Sequence, residues 1–72
     1  MLSEKLINRL RSIERSTDRR VGMYRGEYWE AAKRQHSRLE ALGLIQQEMP
    51  HNPSHKPRVV ITELGRSVLR GA

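Results

Sequence analysis

Seventy-two residues fill one domain and leave no length for a second. The 14 Lys and Arg outnumber the 8 Asp and Glu, giving a formal charge of +6, and the lack of cysteine excludes disulfide staples, Cys-ligated zinc and thiol catalysis. No unbroken apolar run exceeds three residues, as at Val59–Ile61, which excludes a membrane-spanning helix; with no apolar leader at the start, a cytoplasmic protein is expected.

The first element is an amphipathic helix from Leu2 to about Arg15. Leu2, Leu6, Ile7, Leu10 and Ile13 recur at helical spacing and make one apolar stripe. Ser3 is placed to cap it, with Glu4 beside the positive helix end. Ser16, Thr17 and Asp18 can cap a short helix over 17–22, followed by a turn through Gly22 and Gly26. A second long helix is expected over Glu27–Leu42. At 100° per residue, Tyr28, Trp29, Ala32, His36, Leu39 and Leu42 fall on one side, and Glu30, Arg34, Ser37, Arg38 and Ala41 on the other.

Gly43 follows the last apolar position and suits a left-handed cap. Leu44–Thr62 reads as a hairpin: a first arm Leu44–Met49, an exposed tip Pro50–Pro57 and a β-branched second arm Arg58–Thr62. Thr62 can cap a last helix, Glu63–Arg70, with Leu64, Val68 and Leu69 inward and Gly71 ending it.

Neither long helix buries its stripe alone, and an isolated hairpin is marginal. Sharing one core is the economical solution. The expected class is therefore α+β, a winged helix-turn-helix: a three-helix core, a β-hairpin wing and a short C-terminal helix. Two runs carry a resemblance in the same direction. Leu39-Glu40-Ala41-Leu42-Gly43-Leu44-Ile45 is similar to the end of the third helix and start of the wing in the MarR, PadR and ArsR families of winged-helix regulators. Ile61-Thr62-Glu63-Leu64-Gly65-Arg66 resembles the Leu-Thr-x-x-Gly-Arg that closes the wing there, with Ile in place of the first Leu. The resemblance covers residues 28–70. The N-terminal third matches only in outline, since Ser16–Arg20 holds no apolar residue where a second helix is expected.

The resemblance implies that the helix over 28–42 is a recognition helix whose outward face enters the major groove of DNA. Arg34 and Arg38, one turn apart, would reach guanine O6 and N7, Ser37 a base edge or phosphate, and Glu30 a cytosine amine or Arg34 itself. It also implies a wing that contacts the backbone or the minor groove through His55, Lys56 and Arg58. Arg19, Arg20 and Arg25 form a second basic group able to clamp a phosphate strand, or equally an ordinary solvated surface. The charge itself points the same way. Arginine, 11 residues against 3 lysines, offers a planar fork to phosphates and guanines.

The expected function is sequence-specific binding of double-stranded DNA, in a small transcriptional regulator acting by site occupancy. A homodimer on a two-fold site is expected, with the first or last helix supplying the contact. No membrane, cofactor or small-molecule effector enters this reading, because 72 residues leave little room for an effector pocket. The alternatives are a winged helix used to bind protein, and an RNA or single-strand binder with stacking tyrosines. Catalysis is not expected. His36 falls beside Trp29 and Ala32 on the core side, His51 and His55 straddle Pro53 in a loop, and no glycine-rich phosphate loop occurs.

Overall fold

The computed structural model describes residues 2–19, 27–49 and 57–71, with backbone alone at 27 and 28. Helix α1 spans Glu4–Arg19. Ser3 caps it, its Oγ accepting the Leu6 N–H at 3.3 Å. Its stripe delivers Leu10 and Ile13 to the core, with Leu2 and Leu6 packed at the margin. The helix runs four residues past the expected end near Arg15, through a segment with no apolar side chain. The polar residues there have tertiary partners. Ser16 is buried, and Thr17, whose hydroxyl donates to the Ile13 carbonyl of its own helix at 2.8 Å, accepts the Ile61 N–H at 3.1 Å. Residues 17–19, expected to open a separate helix over 17–22, are instead the last turn of α1, and 20–22 lie outside the described residues.

The long helix expected over 27–42 is two helices. Helix α2 covers Glu27–Ala31 and α3 covers Lys33–Ala41, with Ala32 between them at φ −140°, ψ 48°. The second helix of the three-helix core is thus α2. Helix α3 ends as its sequence demands. Gly43 stands at φ +75°, its N–H donates to the Glu40 carbonyl and that of Leu44 to the Leu39 carbonyl, both at 3.0 Å. That pair of bonds is the Schellman arrangement, and glycine meets its positive φ without a Cβ penalty.

Strands β1 (Ile45–Glu48) and β2 (Arg58–Ile61) pair antiparallel, Ile45 opposite Ile61 and Glu48 opposite Arg58. Ile45, Val59 and Ile61 enter the same core as Leu10, Ile13, Trp29, Leu39 and Leu44. Helix α1 lies along β2 and holds it by polar bonds. The Ile61 N–H, at the edge of β2 away from β1, donates to Thr17 Oγ1 at 3.1 Å. One Nη2 of Arg58 donates to the carbonyls of Ser16 and Thr17 at 3.3 and 3.4 Å. Those carbonyls belong to the last turn of α1, which has no helical donors of its own.

Helix α4 (Glu63–Arg70) is capped by Thr62, whose Oγ1 accepts the Gly65 N–H at 3.0 Å and donates to the Gly43 carbonyl at 2.7 Å. Gly65 is buried where α4 crosses the start of β1. A Cβ there would fall on the Leu44 carbonyl oxygen and come within 2.7 Å of Ile61 Cγ1. Arg66 reaches from α4 back to α1, pairing with Asp18 at 2.7 Å and Glu14 at 3.4 Å. The hydrogen bond from Arg66 holds the Asp18 carboxyl below its ordinary range. The inward turn expected of Leu64 is not found. Leu64 is 54% exposed, while Val68 and Leu69 are half-buried. Three helices, a two-stranded antiparallel hairpin and a closing helix make the architecture of a winged helix-turn-helix.

Candidate nucleic-acid interface

The corner between α2 and α3 sets the direction of α3. Trp29, 1% exposed, anchors α2 in the core, and Leu39 anchors α3. His36, one turn into α3, is fully buried and reaches back across the corner. Its Nδ1 lies 3.0 Å from the Trp29 carbonyl oxygen, to which it donates, and its ring lies 5.0 Å from the indole. The same carbonyl accepts the Ala32 N–H at 3.3 Å. The core-side position expected of His36 is therefore a fully buried one. Burial pushes its imidazole below its ordinary 6.5, against the pull of the bond to Trp29 and with that of the nearby Arg9 charge. A neutral ring donating from Nδ1 latches the two helices together. Outside the corner, Arg9 of α1 donates to Gln35 of α3 at 3.3 Å.

With Trp29, His36 and Leu39 inside, the opposite face of α3 is turned out. Arg34, Ser37 and Arg38 are all exposed, as is Glu30 on α2. Among the described residues neither Arg34 nor Arg38 forms an ion pair. The pairing of Glu30 with Arg34 along one helix fails because Ala32 interrupts the helical spacing between them. Glu30 and Arg34 instead line one shallow depression at the corner, together with Lys33. Arg38 stands elsewhere, on the rim of a groove between α3, α1 and α4. Sequence reasoning missed Lys33. With the helix read as continuous from 27, Lys33 was an interior position. In the structure it opens α3, exposed beside Arg34.

The other expected contacts divide in two. Arg19 is exposed at the end of α1, and Arg58 is half-buried against that same end, its guanidinium held by two carbonyls. Arg20, Arg25, His55 and Lys56 lie outside the described residues, as do His51 and the side chain of Tyr28. Among the described residues no group of three or more His, Cys, Asp or Glu side chains is placed to hold a metal, and no helix is long and apolar enough to cross a membrane.

Comparison with family models, curated proteins and solved structures gives no match. The likeness to winged-helix proteins therefore rests on the order and packing of the elements themselves: helix, helix, helix, antiparallel hairpin, helix, a module type that is not typically catalytic.

Proposed function

We propose that the chain, acting as one cytoplasmic domain, binds double-stranded DNA as a small winged-helix regulator of the broad kind represented by the MarR, PadR and ArsR families. Helix α3 lies in the major groove, where Arg34 and Arg38 meet guanine edges and Ser37 meets a base or phosphate. Glu30 accepts from a cytosine amine, and Lys33 contacts the backbone at the start of the helix. The wing approaches the adjacent backbone through Lys56 and His55, while Arg19, Arg20 and Arg25 follow a phosphate strand. Arg58 would have to leave the carbonyls of Ser16 and Thr17 to reach a phosphate. A nine-residue α3 reads few base pairs alone, so two copies on a two-fold site belong to the same reading.

One observation carries the proposal: Arg34 and Arg38 stand exposed and, among the described residues, unpaired by a carboxylate, on a helix held from behind by Trp29, His36 and Leu39, in a chain of net charge +6. Duplex DNA titrated at two salt concentrations tests it. Affinity should fall with salt by about 0.9 log units per phosphate contact per log unit of salt, and no binding at about 50 mM salt refutes the proposal. Base reading by Arg34 predicts that Arg34→Ala loses about 1–3 kcal/mol of discrimination between sites, whereas Lys56→Ala weakens all sites alike.

A further inference from the structure

The charges of α1 are sorted by face. Toward α4, Glu14 and Asp18 stand against Arg66 at 3.4 and 2.7 Å. Toward α3, the helix presents Lys5, Asn8, Arg9 and Ser12, which with Gln35 line a shallow depression that holds no acid among the described residues. Lys5 is exposed and Arg9 half-buried. They lie one turn apart, about 6 Å along the helix axis.

This depression runs into the one at the α2–α3 corner. Arg9 and Gln35 line both, and their 3.3 Å bond bridges α1 and α3 at the junction. From Lys5 a strip therefore passes through Arg9 to Lys33 and Arg34, four cations with the single carboxylate of Glu30 at its far end. Among the described residues Lys5, Lys33 and Arg34 form no ion pair. Like charges held in a row on two helices repel one another, and a polyanion relieves that repulsion by displacing loosely held counterions. An open row fits a line of phosphates better than one small anion, which would engage only one or two of the four.

We propose that this strip carries the phosphodiester backbone of one strand of duplex DNA from the start of α3 onto α1, with Lys5 and Arg9 each meeting a phosphate beyond the bases that α3 reads. Arg34 belongs both to the strip and to the outward face of α3. A strand that borders the groove at Arg34 thus passes next over Arg9 and then over Lys5. Contacts of this kind carry no sequence information; they fix the register and orientation of the reading helix. Gln35 is a positioning residue, holding Arg9 at the junction of the two helices. The inference rests on the proposed docking of α3 and adds to it a binding surface on the first helix.

The probe is a mixed-sequence duplex about two helical turns long, titrated with the full chain over about 0.05–0.2 M salt. Lys5→Ala and Arg9→Gln should each lower the salt slope by about 0.9. Each should weaken binding about eightfold at about 0.1 M salt, alike on every sequence. Arg9→Lys keeps the charge and should keep the slope. Arg70→Ala removes the same charge from an exposed position on α4, where Arg70 bonds Ser67, and should leave the slope unchanged. Helical circular dichroism confirms that each variant is folded, and Lys5→Ala, at an exposed position, carries the test if Arg9→Gln is not. A wild-type chain that ignores the duplex overturns the docking of α3 and this strip together. A chain that binds with a slope indifferent to Lys5→Ala and Arg9→Gln, or one that Arg70→Ala lowers equally, overturns the strip and leaves the docking of α3 standing. A single strand of the same sequence bound more tightly than the duplex, with the same dependence on Lys5 and Arg9, overturns the assignment to duplex DNA.

Discussion

Replacing Thr17 by Val tests how the wing is docked. The side chains have nearly the same shape, so the packing of α1 on β2 is preserved, but the hydroxyl that accepts the Ile61 N–H at 3.1 Å is lost. That N–H points away from β1 toward half-buried Thr17, and no strand among the described residues stands on that edge to take it. A buried donor left without an acceptor costs about 1–3 kcal/mol. The second bond of the hydroxyl, to the Ile13 carbonyl, adds little, because that carbonyl keeps its own helical N–H. Helix propensities of Thr and Val are close, so α1 itself is not weakened. A chain of this size has a total stability of about 4–11 kcal/mol at 0.05–0.15 kcal/mol per residue. The loss should lower the melting temperature by about 5–20 °C. Urea unfolding followed by the fluorescence of Trp29, the single tryptophan and buried in the core, measures it directly. The midpoint should fall while the slope stays constant, because the surface exposed on unfolding is unchanged. Thr17→Ser keeps the hydroxyl and serves as the reference. If Thr17→Val unfolds at the same urea concentration as Thr17→Ser, the bond to Ile61 does not hold the strand and the reasoning fails.

Two further outcomes follow from the same packing. The neutral His36 latch makes stability depend on pH: the unfolded chain takes up a proton near 6.5, whereas burial keeps the native ring neutral to lower pH. The unfolded state then binds more protons, so stability falls as pH drops below about 6.5 until the native ring also titrates. His36→Asn retains a donor for the Trp29 carbonyl without a titrating ring, and its stability should lose this slope between about pH 8 and 5; a slope unchanged from wild type would show that His36 titrates normally. Asp18, held low by the hydrogen bond from Arg66, enters only below its ordinary 3.8. The two structural glycines should respond unequally to alanine. Gly43→Ala meets only a Leu64 carbon at 3.8 Å and carries the strain of positive φ, about 1–2 kcal/mol. Gly65→Ala must separate α4 from the Leu44 carbonyl and Ile61, and overpacking of that kind costs about 1–3 kcal/mol or more. Denaturant midpoints that put Gly43→Ala below Gly65→Ala would contradict the close approach of α4.

The candidate site was legible where a local rule governed it. The outward set Arg34, Ser37 and Arg38 follows from helical spacing opposite Trp29, His36 and Leu39. The single non-helical residue Ala32 was not legible, because the apolar spacing of Trp29, Ala32, His36 and Leu39 continues through it as if the helix were unbroken. Nor was the association of Lys33 with Arg34 at the corner, which depends on where that break falls. The divergence of Arg38 toward the groove depends on α1 and α4, distant in the chain.

By itself the sequence determined the elements whose partners are near neighbours: the Ser3 and Thr62 caps, the left-handed Gly43, the β-branched second arm and the amphipathic first helix. Each of these is settled within a few residues, by backbone sterics or by a side chain reaching three or four positions along. Only the tertiary structure decided that α1 continues to Arg19, that Arg58 and Arg66 turn to α1, and that Leu64 faces out. The continuation of α1 and the turning of Arg58 and Arg66 hang on groups more than 40 residues away, such as Thr17 with Ile61 and Asp18 with Arg66. A polar stretch like Ser16–Arg19 has no apolar signal to announce its helix. It is helical because a strand edge and a guanidinium from the far end of the chain take up the bonds that water would otherwise supply.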